Sequence, residues 1–207
     1  MSEPAFHDVE QNSAEWMALR AGVPTASEFG KLITGTGKVS AQAGDYAAKL
    51  AADAYAGKAT ESWEGNQHTR LGHEREPMAA AYYEFMTGRV CEPVGFVTCG
   101  PAGCSPDRLV ADDGVLEIKS LMGKEHVKVL AYYAKHQRPP PDYFPQCQGE
   151  MLVTCRAWND LLYFHPDLPS LIIRIERDDE YIALLETAIA DVCQKRDEYL
   201  DVLGRTT

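Results

Sequence analysis

The stretch from Cys104 to Ser120 constrains this chain more than any other. Its pattern predicts two strands joined by a tight turn. Cys104-Ser105-Pro106-Asp107-Arg108 runs in, Leu109-Val110-Ala111 leads to the reversal, and Asp112-Asp113-Gly114 turns the chain. An Asp-Gly pair tolerates the positive φ angles that short hairpin turns need. Val115, Leu116-Glu117-Ile118-Lys119 and Ser120 run out. Side chains alternate across a strand, so Glu117 and Lys119 share one face and Ile118 takes the other. Their apolar neighbours predict a mostly buried strand, where a lone charge is costly. If Asp107 reaches the same edge, with its approach fixed by Pro106, two carboxylates and an ammonium converge. Paired carboxylates suit Mg²⁺, a hard cation that takes oxygen ligands and keeps several waters. Water on such a cation is more acidic, and a nearby lysine orients it or steadies developing negative charge. The same spacing also fits an ordinary solvated hairpin with a surface Glu/Lys pair.

Composition sets the outer bounds. A chain of 207 residues, 45% hydrophobic and 25% charged, suits one soluble domain spanning residues 1–207. No apolar run approaches a membrane span, and Met1-Ser2-Glu3-Pro4 lacks the basic and apolar regions of a signal peptide, so a cytoplasmic protein without membrane contact is expected. The six cysteines form no Cys-x-x-Cys pair, which leaves zinc ribbons and thioredoxin-like motifs unsupported and favours reduced, mostly buried thiols. A net charge of −11 argues against a broad nucleic-acid surface. A nucleic-acid partner would require local positive charge in a groove, with the acidic excess on outer helical faces such as Glu176 to Glu186 and Asp191 to Asp201.

Taken in order, Asn12 or Ser13 is expected to cap a helix through Arg20, and Thr25 or Ser27 to cap a second carrying Phe29, Leu32 and Ile33. Arg20 and Ser27 are candidates for a phosphate pocket, because a guanidinium offers a planar fork of donors to phosphate oxygens and a helix start adds N–H groups. Thr34-Gly35-Thr36-Gly37-Lys38 lacks the P-loop spacing. Ser40 is expected to cap an Ala-rich helix ending at Gly57, Ala59 to Asn66 to be a loop, and a further helix to run from about His68 to Thr87 with Gly88 as its cap. Glu76 lies one turn beyond Gly72 on that helix, sharing a face with His73. Val94 to Thr98 reads as a strand. A partly helical run from Leu121 to Tyr133 follows the hairpin, with Lys124, Lys128 and Lys135 as a local basic strip. Asp142 is expected to cap a helix bearing Gln146, Gln148 and Met151. A strand pair (Ala157 to His165, Leu171 to Arg177) and an amphipathic helix begun by Asp178 or Asp179 close the chain.

Pro106-Asp107 followed by Glu117-Ile118-Lys119 resembles the PD-(D/E)XK nuclease signature, and Cys104-Ser105-Pro106-Asp107 is similar to its phage lambda exonuclease branch, the YqaJ-like viral recombinases. Trp16, Arg20 and Thr25-Ala26-Ser27 resemble that family's N-terminal motif. Gly72-His73-Glu74-Arg75-Glu76 resembles its acid-bearing helix, and Gln146-Cys147-Gln148 its glutamine-bearing helix. The motifs fall in order from about Asn12 to the C-terminal helix.

The resemblance implies an α/β (α+β) restriction-endonuclease-like three-layer sandwich, with a central mixed β-sheet flanked by helices. It implies a Mg²⁺-dependent 5′→3′ exonuclease on double-stranded DNA ends, leaving a 3′ overhang for single-strand annealing. Asp107, Glu117, the Ile118 carbonyl and Glu76 would hold the metal, with two Mg²⁺ ions expected and Mn²⁺ able to substitute. Lys119 would position water or stabilise the transition state. Arg20, Ser27, Ser105 and Gln146 would hold the terminal 5′-phosphate, and Gln146 would also reach the catalytic group. The family's wedge that splits the DNA end falls near Thr69, Arg70 and Leu71. The expected partners are duplex DNA ends, a single-strand annealing protein, and two further copies in a ring-shaped trimer. The rival readings are an endonuclease of the same superfamily and a catalytically silent DNA-binding scaffold. A sugar hydrolase using Asp107 and Glu117 as paired acids leaves Lys119 unexplained.

Overall fold

The computed structural model describes residues 3–60 and 67–205, apart from the side chains of 67–71, 73 and 205. The wedge expectation for Thr69, Arg70 and Leu71, the side chain of His73 and most of the loop expected between Ala59 and Asn66 lie outside the described residues.

Short β1 (Ala5–His7) precedes α1 (Ala14–Arg20), a 3₁₀ turn (Ala26–Lys31), α2 (Ala43–Ala56) and α3 (Gln67–Thr87). Five strands follow: β2 (Cys91–Glu92), β3 (Phe96–Cys99), β4 (Ala102–Cys104), β5 (Arg108–Val110) and β6 (Gly114–Lys119). The chain then forms α4 (Gly123–His136), a second 3₁₀ turn (Pro141–Tyr143), α5 (Phe144–Thr154), β7 (Trp158–Tyr163), β8 (Leu171–Glu176) and α6 (Asp179–Arg205).

The main sheet has the order β2-β5-β6-β7-β8. β6 is central and pairs antiparallel with β5 but parallel with β7, in register from Gly114↔Trp158 to Lys119↔Tyr163. A parallel neighbour needs a long crossover, which α4 and α5 supply. Burial on both faces explains why residues 114–118 are all buried. On one face Ala79, Ala80 and Tyr83 of α3 pack on Leu116, Ile118, Leu162 and Phe164. On the other, Cys147 and Met151 of α5, with Val129 and Tyr133 of α4, pack on Leu161, Tyr163, Ile173 and Ile175. Helix, mixed sheet and helix are the three layers that the resemblance implies.

A second sheet, β1-β3-β4, packs with the first 3₁₀ turn, α2 and α6 around Phe29, Leu50, Val97, Leu185 and Ile189. Between the two cores lies α5, whose residues 147–154 are all buried. Gly149 makes that possible: a Cβ there would stand 2.3 Å from the Phe29 ring.

Several local expectations are corrected. Cys104 belongs to β4 of the second sheet, so the hairpin begins at Arg108, and Ser105-Pro106-Asp107 is the link between the sheets. The turn spans Ala111 to Asp113, and Ala111, not Gly114, takes the positive φ (48°). Gly114 is required for another reason: a Cβ would stand 2.0 Å from the Trp158 ring on the neighbouring strand. Gly114→Ala is therefore expected to destabilise the fold by about 1–3 kcal/mol through overpacking. A urea midpoint equal to the parent's would contradict that contact.

Ser13 caps α1 by accepting from the Trp16 N–H (3.1 Å). Thr25 precedes a six-residue 3₁₀ turn and makes no side-chain cap bond, so the α-helix expected there does not form. Gln42 stands at the α2 N-cap, while Ser40 Oγ accepts the Gln42 N–H one step earlier. Asp142 sits in the second 3₁₀ turn, and Tyr143 stands at the N-cap of α5 without a side-chain cap bond. Asp178 does cap α6, accepting the Tyr181 N–H at 2.9 Å. All six cysteines are free thiols. Among the described residues no helix is long and apolar enough to cross a membrane.

Candidate active site

The link between the two sheets delivers Asp107 to the edge of β6. Its Oδ2 accepts the backbone N–H of Ile118 at 2.6 Å, which locks the carboxylate against the strand carrying Glu117 and Lys119. Strand alternation puts Glu117 and Lys119 on the opposite face from Ile118, whose side chain packs toward α3. Lys119 Nζ donates to Glu117 Oε1 at 2.6 Å and to Gln146 Oε1 at 3.0 Å. It also lies 4.5 Å from the centroid of the Tyr143 ring. Gln146 Nε2 donates to Glu117 Oε1 (2.7 Å) and to Glu150 Oε1 (2.8 Å). Asn159 Nδ2 closes the chain on Glu150 Oε2 at 2.8 Å. With carboxylates on one side and an ammonium on the other, only one orientation of the Gln146 amide satisfies all three partners.

Charge in this cluster is strongly desolvated. Burial, and next the Glu117 charge, push the Asp107 carboxyl well above the ordinary range, with Glu76 adding to the rise. Burial and Glu117 do the same to Glu150. Burial works against the Lys119 ammonium, yet Glu117 and Asp107 outweigh it and hold the lysine protonated. Glu117 Oε2 is buried and has no hydrogen-bond partner among the described residues. Glu76 reaches the hairpin from α3 and is ion-paired with Arg108, whose guanidinium also donates to the Asp107 carbonyl (2.5 Å).

The donor set fits a divalent cation. It offers the desolvated Asp107 carboxyl facing the Glu117 charge, one oxygen of Glu117 left without a hydrogen bond among the described residues, and a backbone carbonyl one residue on. Among the described residues no three His, Cys, Asp or Glu side chains close to ligand distance.

The candidate phosphate residues form a second set of contacts that starts from the link at Ser105. The Trp16 indole N–H donates to Ser105 Oγ at 2.8 Å. The Arg20 guanidinium stacks 4.1 Å from the Trp16 ring centroid, and one of its amino groups lies 3.4 Å from Thr25 Oγ1. Thr25 Oγ1 in turn lies 3.5 Å from Ser27 Oγ. Among the described residues no carboxylate forms an ion pair with Arg20. Burial lowers its pKa, while nearby Tyr46 and Glu28 raise it. Cys104 lies within electrostatic reach of both groups. Burial raises its thiol pKa, as do Glu150 and Glu117, while Arg20 lowers it. The structure thus joins Arg20, Ser27 and Ser105 into one chain of contacts. Gln146 makes its hydrogen bonds with Glu117, Lys119 and Glu150 instead.

Sequence reasoning passed over Glu150, Arg108 and Tyr143 at this site. Glu150 was detectable, since it lies four residues beyond Gln146 on the same helical face. Arg108, next to Asp107, carried no comparable signal.

Residues 15–157 match the family described as YqaJ-like viral recombinase domain. Among solved structures, an alkaline exonuclease (LHK-Exo) from Laribacter hongkongensis superposes with a TM-score of 0.81 at 32% identity, covering 94% of this chain and 97% of that one. LHK-Exo in complex with dAMP gives 0.81 at 31% identity with the same coverage. A phage-related exonuclease from Haemophilus somnus 129PT shares the fold (TM-score 0.70, 16% identity, 87% and 96% coverage). A stretch of 67 residues is also 27% identical to a cell division topological specificity factor of Shewanella sp. (strain ANA-3), covering 32% of this chain and 73% of that protein. That short likeness leaves two thirds of the chain unmatched.

Proposed function

From the premise that this chain belongs to the YqaJ-like viral recombinase family, we propose that it is a metal-dependent DNA exonuclease working from duplex ends. The observation that carries the reading is the convergence of Asp107, Glu117, Lys119 and Gln146 on one desolvated edge of β6. A solvated hairpin would not hold an unpartnered buried carboxylate oxygen beside a largely buried ammonium.

Asp107, Glu117 and the Ile118 carbonyl, with Glu76 from α3, would hold Mg²⁺, with Mn²⁺ as a substitute. Bound there, the cation would supply polarisation of the scissile phosphate and acidification of the attacking water. The chain's own residues do the rest. Lys119, kept protonated by its carboxylate neighbours, acts as a donor and not as a base: it orients the nucleophile and faces the negative charge that develops on the phosphate. Gln146 fixes the rotamers of Lys119 and Glu117 together, because it bonds to both. Arg108 braces Glu76 against the hairpin.

Arg20, Ser27 and Ser105 form the seat for the 5′-phosphate of the strand being removed, which gives the enzyme 5′→3′ polarity and leaves a 3′ overhang for annealing. Residues 1–207 act as one domain in this reading. It extends to a ring-shaped trimer beside a single-strand annealing protein. Such a ring would let an acidic chain surround DNA with a locally basic inner face, and the exposed Phe85, Met86 and Val90 supply apolar surface for contact between copies.

The test is a duplex labelled at one 5′ end or one 3′ end, incubated with Mg²⁺ and with EDTA. The reading expects labelled mononucleotide early from the 5′ label only, and none in EDTA. Early release from the 3′ label would overturn the polarity, and undiminished release in EDTA the metal dependence.

A further inference from the structure

We infer that Trp16 is the positioning residue of the phosphate seat, setting Ser105 and Arg20 at once through two different interactions of one indole. The inference rests on the 5′-phosphate reading given above.

Ser13 caps the first turn of α1 through the Trp16 N–H, so the helix begins with this residue's backbone fixed. α1 has no buried residue. The indole is therefore not held there by a core of its own helix, and its described polar and cation contacts point elsewhere. Its N–H donates to Ser105 Oγ at 2.8 Å across a sequence separation of 89 residues. A hydroxyl that accepts from an indole keeps its own proton for another acceptor. The Ser105 O–H is then available to donate outward, and Ser105 lies two residues before Asp107 in the link between the sheets.

The ring face does the second job. The Arg20 guanidinium lies 4.1 Å from its centroid and 5.8 Å from that of Phe96 on β3. Stacking on an aromatic face fixes the plane of a guanidinium and leaves its N–H donors to point along that plane. The one side-chain hydrogen bond from Arg20 among the described residues goes to Thr25 Oγ1, at a long 3.4 Å. A guanidinium held by its face, with its edge lightly engaged, is prepared for an anion that takes two donors together. Trp16 thus couples a neutral donor on the link to a cation on α1. Among the hydrogen bonds and ring contacts of the described residues, only those of Trp16 reach both Ser105 and Arg20.

The test compares cleavage of 5′-phosphorylated and 5′-hydroxyl duplex ends by each protein, reading the ratio of their kcat/KM values. Because the ratio is internal to each variant, a change in the amount of folded protein cancels. Trp16→Phe keeps a ring for Arg20 and removes the N–H to Ser105. It is expected to lower the phosphate preference about threefold to tenfold, the scale of one lost hydrogen bond. Ser105→Ala, which also removes the hydroxyl offered to the phosphate, should lower it at least as much, and the double variant no further than Ser105→Ala alone, since Trp16→Phe acts through that hydroxyl. Trp16→Ala should lower it more than Trp16→Phe, because stacking on Arg20 goes as well. If the wild type prefers phosphorylated ends and Trp16→Phe prefers them equally, the inference is overturned while the phosphate seat stands. Independent, multiplying losses in the double variant would overturn the coupling through Ser105. No preference in the wild type would overturn the seat itself, and the inference with it.

Discussion

Lys119→Ala is expected to lower turnover by about two to four orders of magnitude while leaving duplex binding within a small factor of the parent. Lys119 touches Glu117 and Gln146 and lies over Tyr143, so removing it strips the site of its buried ammonium. The loss should fall on kcat and not on KM, because the described contacts of the lysine are with Glu117, Gln146 and Tyr143 and none is with Arg20 or Ser27. Lys119→Arg should recover little: the guanidinium fork is larger and flatter than the point charge that fits between Glu117 Oε1 and Gln146 Oε1. Single-turnover digestion with bound-fraction controls separates these terms. Near-parental kcat in Lys119→Ala would remove the lysine from the chemistry. Because Lys119 is held protonated above the usual lysine range, its titration is not expected to shape the rate profile at neutral or mildly alkaline pH.

The largest expected effect on stability lies away from the chemistry, at Asp160. This carboxylate is buried on β7 and takes bonds from Tyr83 of α3 (2.6 Å) and from Arg174 of β8 (2.5 and 2.9 Å). Arg174 in turn stacks 3.6 Å from the Trp158 ring centroid. Asp160 therefore ties the helix that carries Glu76 to the sheet that carries Glu117. Asp160→Ala leaves a buried phenol and a partly exposed guanidinium without their acceptor, at a cost of about 2–4 kcal/mol. The figure is discounted because Arg174 keeps a third of its side-chain surface in water. For a chain of this size that is a drop in Tm of roughly 4–16 °C. A melt within a degree or so of the parent, well inside that range, would show that the network is redundant.

The same network gives a pH signature. Burial, and then the Asp160 charge, raise the Tyr83 phenol above its ordinary range. The folded state therefore holds this proton more tightly than the unfolded chain does. The associated stability is complete below the unfolded phenol pKa of about 10 and is lost as pH climbs toward the folded value. Tyr83→Phe should flatten the alkaline fall in stability, measured by urea titrations at stepped pH. An unchanged slope would assign the fall to the other raised phenols, Tyr46 and Tyr181 among them.

What the sequence made legible follows from how local each signal was. β6 could be read outright, because Val115, Leu116 and Ile118 around Glu117 and Lys119 carry the burial pattern in six consecutive residues. Asp178 as the start of α6 was equally local. The incoming half of the hairpin was misread because Cys104 and Arg108, four residues apart, pair in different sheets, and no periodicity marks that switch. Gly114 was assigned to the turn on propensity, whereas Trp158, 44 residues later in sequence, is what excludes a side chain there. At the site, residue types and spacing pointed to Asp107, Glu117 and Lys119, and the family resemblance added Gln146. Spacing placed Glu150 one turn beyond Gln146 but could not show that Asn159 stands behind Glu150, because Asn159 reaches that carboxylate from a different element. Nor could it show that Arg108 would engage Glu76, since the two are 32 positions apart and the second half of α3 lies between them.

The central claim is that the Asp107, Glu117 and Lys119 edge cleaves DNA from its ends. The most direct measurement incubates linear duplex and a covalently closed circle of the same sequence with the wild type and with Glu117→Gln in Mg²⁺, scoring acid-soluble nucleotide. The account predicts progressive loss of the linear form, an intact circle, and no loss of either with Glu117→Gln. A nicked or cut circle would make the protein an endonuclease, and equal digestion by Glu117→Gln would remove the proposed centre from the reaction.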